Sequence, residues 1–187
     1  NPGEGPLLMG EVVRKVSEAT GNSAILVTDV GQNQMMSARY FKFTKPHSIL
    51  TSGGLGTMGY GLPAAIGAKI AMPERTVCIF AGDGGLQMNI QEFGTIMEQG
   101  VAVKIILLNN NYLGNVRQWQ ELFFNHRYSW TPMINPDYSM VAKGYGIASR
   151  LVTERAELDD AIKEMLETPG AFLLHVAVKE EANVMPM

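Results

Sequence analysis

Two apolar runs constrain this chain more than anything else in it: residues 76–81 (Thr-Val-Cys-Ile-Phe-Ala) and residues 103–108 (Val-Lys-Ile-Ile-Leu-Leu). Each is almost free of polar positions, so neither leaves a face for solvent. Such a run fits a strand buried on both sides, and that requires helices above and below the sheet. The intervening sequence supplies them. Leu8, Met9, Val12, Val13 and Val16 recur at helical spacing within residues 7–20, with Gly21 as the stop. Residues 58–72 are rich in Gly and Ala and read as a closely packed helix with Pro63 in its first turn. Residues 89–99, 114–124, 137–145 and 156–167 read as further helices, the last closed by Thr168-Pro169-Gly170. Shorter apolar runs at 24–28, 147–152 and 171–178 read as additional strands. Strands alternating with helices give an α/β fold: a three-layer, doubly wound parallel sheet with helices on both faces, expected as a single domain over residues 1–187.

Composition excludes several classes. With 46% hydrophobic and 18% charged residues, the chain has enough apolar surface for a core and is not a disordered segment. A net charge of −3 leaves no basic excess for nucleic acid. No run approaches the roughly 20 apolar residues of a membrane span. Cys78 is the single cysteine, so an intrachain disulfide is impossible and a reducing compartment, the cytoplasm, is expected. His47, His126 and His175 lack ligand spacing. The opening Asn-Pro-Gly-Glu-Gly-Pro lacks an initiating Met and resembles neither signal nor targeting segment, which suggests the boundary of a longer chain.

Ligands of open parallel sheets bind at the carboxyl ends of the strands. Three such ends carry unusual chemistry: Asp29-Val30-Gly31-Gln32-Asn33-Gln34, Gly82-Asp83-Gly84-Gly85, and Asn109-Asn110-Asn111-Tyr112. One Gly-Asp-Gly alone is equally a tight turn. Together with an Asn-rich turn at a neighbouring strand end, it offers the oxygen ligands that Mg²⁺ prefers, and Mg²⁺ usually shares phosphate oxygens. Glycines beside Asp83 let backbone N–H groups approach a diphosphate, and the helix expected from about residue 89 directs its positive end there. A dinucleotide-binding turn is not favoured, because Gly31-Gln32-Asn33-Gln34 lacks the Gly-x-Gly-x-x-Gly pattern. Residues 112–137 hold both tryptophans and read as a lid over the site.

Gly82-Asp83-Gly84 followed by Asn109-Asn110 resembles the cofactor motif of thiamine diphosphate-dependent enzymes. The glycine-rich stretch from Thr51-Ser52-Gly53-Gly54 through Gly67-Ala68, and Gly114-x-Val116-x-Gln118-Trp119 followed by Phe123 and Arg127-Tyr128-Ser129, narrow the resemblance to the large subunit of acetohydroxyacid (acetolactate) synthase. It extends from about Leu7 to Val184-Met185-Pro186 and corresponds to the C-terminal, diphosphate-binding third of that subunit.

The resemblance implies Asp83 and Asn110 as side-chain Mg²⁺ ligands and the Tyr112 carbonyl as a third. It implies that Gln32, Asn33, Gly84, Gly85, Leu113 and Gly114 line the diphosphate. Gly56 and Met58 would meet the aminopyrimidine, Met58 wedging beneath the bent cofactor, while Asn115 and Trp119 would border the substrate pocket. No catalytic residue is implied here, since the family's glutamate belongs to an N-terminal domain reached across a dimer interface. The implied activity joins the hydroxyethyl unit of decarboxylated pyruvate to a second 2-oxo acid, pyruvate or 2-oxobutanoate, in branched-chain amino-acid biosynthesis. The family also implies FAD, bound mostly by other domains, a homodimer or homotetramer, and a regulatory subunit. Three positions depart from its pattern: Asn33 for His, Asn115 for Met, and Met36 for Trp. Asn33 can still donate a hydrogen bond to phosphate though it carries no charge, and Met36 is the milder change. Asn115, beside the pocket, keeps other thiamine diphosphate enzymes open, among them pyruvate oxidase, sulfoacetaldehyde acetyltransferase and aryl 2-oxoacid decarboxylases, and a non-catalytic binding domain is a separate alternative.

Overall fold

The computed structural model describes residues 5–180 and 182–185. Residues 1–4 of the opening segment and Pro186 of the tail lie outside the described residues. Among the described residues six parallel strands form one sheet: β1 (Ile25–Thr28), β2 (Ile49–Leu50), β3 (Val77–Gly82), β4 (Lys104–Asn109), β5 (Ala148–Val152) and β6 (Phe172–Ala177). Their order is β2-β1-β3-β4-β6-β5. The chain therefore steps outward from β1 to β2 and then returns to place β3 on the other side of β1. This reversal opens a crevice at the carboxyl ends of β1 and β3, the usual ligand position in such a sheet.

Alternate residues of each central strand supply two separate cores. Leu26, Cys78, Phe80, Ile106, Leu108 and Leu174 face one side, against α1 (Met9–Ala19) and α8 (Leu158–Glu167), with Met36 of α2 (Gln32–Tyr40) packed at its border. Ile25, Val27, Ile79, Ile105, Leu107 and Leu173 face the other, against α3 (Gly61–Ala71), α5 (Phe93–Gln99) and α7 (Tyr138–Gly144). This is the three-layer arrangement that strands apolar on both faces demand. Local chemistry closes the helices: Gly100 ends α5 at φ 62°, and the Asp137 side chain accepts from Met140 N at 3.0 Å to cap α7.

The structure differs from the sequence expectations in three places. The helix expected over residues 89–99 is a short 3₁₀ turn, Ile90–Glu92, followed by α5, and a separate helix, α4 (Asp83–Met88), begins on Asp83 itself. The Gly-Asp-Gly segment is thus the first turn of a helix rather than a loop ahead of one. Helix α2 and the two-residue β2 have no counterpart in the expectations. Among the described residues no helix is long and apolar enough to cross a membrane.

Candidate functional site

A cavity of about 100 Å³ lies at the crevice. Its walls come from the β1–α2 turn (Val30, Gly31, Gln32, Asn33), the β3–α4 junction (Gly82 to Gly85), and the turn after β4 leading into α6 (Gly114–Phe123), with Met9 and Met58 closing it. Three helices, α2, α4 and α6, begin on this cavity. The first backbone N–H groups of a helix lack intrahelical partners, and its N-terminus carries partial positive charge. The cavity therefore presents backbone donors and partial positive charge from three helix starts, an arrangement that can receive an anion.

Side-chain space is removed where backbone must come close. A Cβ on Gly84 would lie 2.7 Å from Leu113 Cδ2, and one on Gly114 would fall on Gln32 Oε1. Asn111 takes φ 58°, a conformation asparagine tolerates better than most residues. The bend lets its N–H donate to Asn109 Oδ1 at 3.0 Å. Residues 131–133 pair with this turn, through Leu113 N to Thr131 O and Met133 N to Asn111 O, both at 2.8 Å.

Asp83 is 1% exposed, and among the described residues its contacts are neutral donors rather than a cation. Burial pushes its carboxyl above the ordinary range; donation from Asn135 and from the Gly84 N–H offsets part of that rise. A buried carboxylate beside Asn110 and the Tyr112 backbone is a donor set suited to a hard divalent cation bridged to phosphate. Among the described residues no group of three or more His, Cys, Asp or Glu converges. Asn33, which lines the cavity, donates to Val30 O at 3.0 Å, and among the described residues its buried Oδ1 has no hydrogen-bond partner.

The structure brings Gln32, Asn33, Met58, Asp83, Gly84, Gly85, Asn110, Tyr112, Leu113, Gly114 and Asn115 to one cavity. Gly56 and Trp119 do not line it. Gly56 takes φ 60° in the exposed loop beside Val30. Trp119, 53% exposed, faces a separate groove with Met35, Arg39, Leu122 and Met185. One turn of α6 separates it from the cavity residues Asn115 and Val116. Of the residues expected as a lid, 114–123 form α6, and Arg117 stacks over Tyr112 and Tyr128 at 5.3 and 4.8 Å.

The supporting roles of Asp29, noted from sequence only within its strand-end turn, and of Asn135 emerge only in the structure. Asp29, buried at the end of β1, accepts from Gly59 N at 3.2 Å and Gly61 N at 2.9 Å, fixing the loop that carries Met58. An acid directly after a buried strand was the available signal. Asn135 contacts Asp83, and its signal was weaker, an Asn-Pro-Asp turn far from the motif.

Residues 29–176 match the family described as thiamine pyrophosphate enzyme, C-terminal TPP binding domain, and the chain belongs to that family. Its curated relatives include the acetolactate synthase isozyme 2 large subunit of Escherichia coli, 44% identical over 97% of this chain and 33% of the relative. The mitochondrial acetolactate synthase catalytic subunit of Saccharomyces cerevisiae is 46% identical over 92% of this chain and 25% of the relative. The chain thus spans about a quarter to a third of these relatives. Among solved structures, the thiamine diphosphate-dependent 4-hydroxybenzoylformate decarboxylase of Rhodococcus jostii shares the fold, with a TM-score of 0.87 at 23% identity over 96% of this chain and 34% of that one.

Proposed function

We propose that this chain is the cofactor-diphosphate domain of an acetolactate synthase catalytic subunit, one domain of a longer protein. The observation that carries the reading is the convergence of three helix N-termini on a cavity that also holds Asp83 and Asn110. Asp83, Asn110 and the Tyr112 carbonyl would hold Mg²⁺. The backbone of Gly84, Gly85, Leu113 and Gly114 would hold the diphosphate, with Gln32 and Asn33 beside it. Met58 would support the cofactor's bend, and Gly56 would meet its pyrimidine from the rim. Bound thiamine diphosphate supplies the carbanion chemistry that decarboxylates pyruvate and passes the two-carbon unit to an acceptor. This chain's residues bind, orient and keep water out.

The cavity's 100 Å³ falls well short of the roughly 300–1,000 Å³ that encloses a whole ligand of this size, which supports a cleft completed by a second domain or subunit. Leu55 and Ile134, 94% and 101% exposed, are apolar surface suited to that contact. A homodimer or homotetramer, FAD on other domains, a regulatory subunit, branched-chain amino-acid biosynthesis and a cytoplasmic location belong to the same reading. The buried thiol of Cys78, pushed up to about 12 by desolvation, is inert in it.

A 2-oxoacid decarboxylase is the second reading. Asn115 favours it by placing a polar group on the cavity wall. Incubating the full-length protein with pyruvate, thiamine diphosphate and Mg²⁺ separates the two: acetolactate is expected, and acetaldehyde alone would favour the decarboxylase.

A further inference from the structure

Three acceptors from the two strand ends of the site converge on a single amide. Asn135 Nδ2 lies 2.7 Å from Asp83 Oδ2, 3.1 Å from Asn109 Oδ1 and 3.1 Å from Asn111 Oδ1. The opposite end of the same amide is also held. Asn135 Oδ1 accepts from Gln87 Nε2 at 2.8 Å and from the Tyr138 hydroxyl at 3.1 Å. With acceptors on one side and donors on the other, the amide has only one orientation that satisfies the network. The backbone is constrained as well. Pro136 restricts the residue before it to extended conformations, Asp137 caps α7, and Tyr138 is fully buried with its hydroxyl 3.2 Å from Asp83 O. Asn135 therefore reaches the Asp83 carboxylate from a rigid support on the segment expected as a lid.

We infer that Asn135 is a positioning residue for the divalent-cation site: it fixes the Asp83 carboxylate in the orientation the cation needs, and it makes the 131–135 segment part of that site's support. The inference rests on the assignment of Asp83 as a cation ligand. Mg²⁺ requires near-ideal octahedral geometry at about 2.0–2.1 Å, whereas Ca²⁺ accepts flexible geometry at about 2.3–2.6 Å. A loosened Asp83 thus penalises Mg²⁺ far more than Ca²⁺. Groups that orient metal ligands are typically worth about 10–100-fold in metal affinity.

The test uses the full-length protein with thiamine diphosphate held saturating, titrated separately with MgCl₂ and CaCl₂ and followed by tryptophan fluorescence. Asn135→Ala should raise half-saturating Mg²⁺ by about 10–100-fold, with a clearly smaller shift for Ca²⁺. Gln87→Leu leaves Asn135 in place and removes a donor that orients it, so it should shift the same ratio in the same direction by less. It also serves if Asn135→Ala fails to fold. An unchanged Mg²⁺ curve in the variants, or equal shifts for both metals, would overturn the inference, because a general loss of structure weakens both cations alike. If wild-type protein shows no Mg²⁺ dependence, the cation assignment itself fails, and the positioning role with it.

Discussion

The Asp29 carboxylate occupies the space that a side chain at position 85 would need. Asp29 ends β1 and is buried there. Its oxygens accept from Val30 N at 2.8 Å in its own turn and from Gly59 N and Gly61 N across the crevice. Three segments that line or carry the cavity are thereby packed around one side chain: the β1–α2 turn, the loop bearing Met58, and the first turn of α4.

Gly85→Ala should be destabilising by about 1–3 kcal/mol, because the new methyl enters a buried, hydrogen-bonded carboxylate. Thermal unfolding followed by circular dichroism reads this as a fall of about 2–4 °C per kcal/mol for a chain of this size. Gly67→Ala is the control. Gly67 lies inside α3 with nothing within 4 Å of its would-be Cβ, and that change should stabilise by about 0.5–1 kcal/mol. Equal midpoints for the two variants would remove Asp29 from the account of this turn.

Gln118 should control the C-terminal tail. Its Nε2 donates to Val184 O at 2.9 Å, and its Oε1 accepts from Val184 N at 2.8 Å and from Gln32 Nε2 at 2.9 Å. Removing these buried bonds costs about 1–3 kcal/mol. Gln118→Ala should therefore speed hydrogen exchange at the Val184 amide about tenfold or more. Unchanged protection there would mean the tail is held by packing alone.

His175 should make stability depend on pH. Burial lowers its pKa below the ordinary value of 6.5, and its Nε2 lies 3.0 Å from Asn109 Nδ2, which requires an unprotonated acceptor. The unfolded chain thus binds this proton more readily than the folded one. The stabilisation is complete above about pH 6.5 and is lost as pH falls through the lowered folded value. In His175→Gln, urea denaturation across pH 5 to 7.5 should show a flatter slope than wild type. The Asp83 contribution is common to both chains and cancels in the difference. Parallel slopes would contradict the prediction.

Trp119→Leu in the full-length protein should leave thiamine diphosphate affinity unchanged, since Trp119 faces a groove outside the cavity. If that groove borders the acceptor, preference for 2-oxobutanoate over pyruvate should fall roughly tenfold. A competition assay of the two acetohydroxy acids measures it. An unaltered ratio would reduce Trp119 to packing and turn attention to Asn115.

The layers of the fold were legible because strands 77–82 and 104–109 are buried on both faces, and that pattern survives in sequence without knowledge of neighbours. Helix α2 was not legible. Its residues Gln32, Asn33, Gln34 and Ser37 break any apolar stripe, and it is held by packing against α1 and β3 that a single-helix pattern does not reveal. Helix α4 was hidden for a related reason, since two of its six residues are glycines of low helix propensity. The strand-end residues could be named from sequence because their chemistry is local to each turn. Asp29 was visible only as the start of its turn, and Asn135 not at all, because their roles exist only once distant segments meet: positions 59, 61 and 85 around the one, and positions 83, 87, 109 and 111 around the other.

Asp83 provides the only carboxylate proposed for the cation, so its removal bears most directly on the site. Calorimetric titration of thiamine diphosphate into the full-length protein, with and without Mg²⁺, compares wild type with Asp83→Ala. Wild type should bind the cofactor only when Mg²⁺ is present, and Asp83→Ala should lose that binding, because the diphosphate would then face no cation. Equal Mg²⁺-dependent affinity in the two proteins would contradict the assignment of this cavity as a Mg²⁺–diphosphate site.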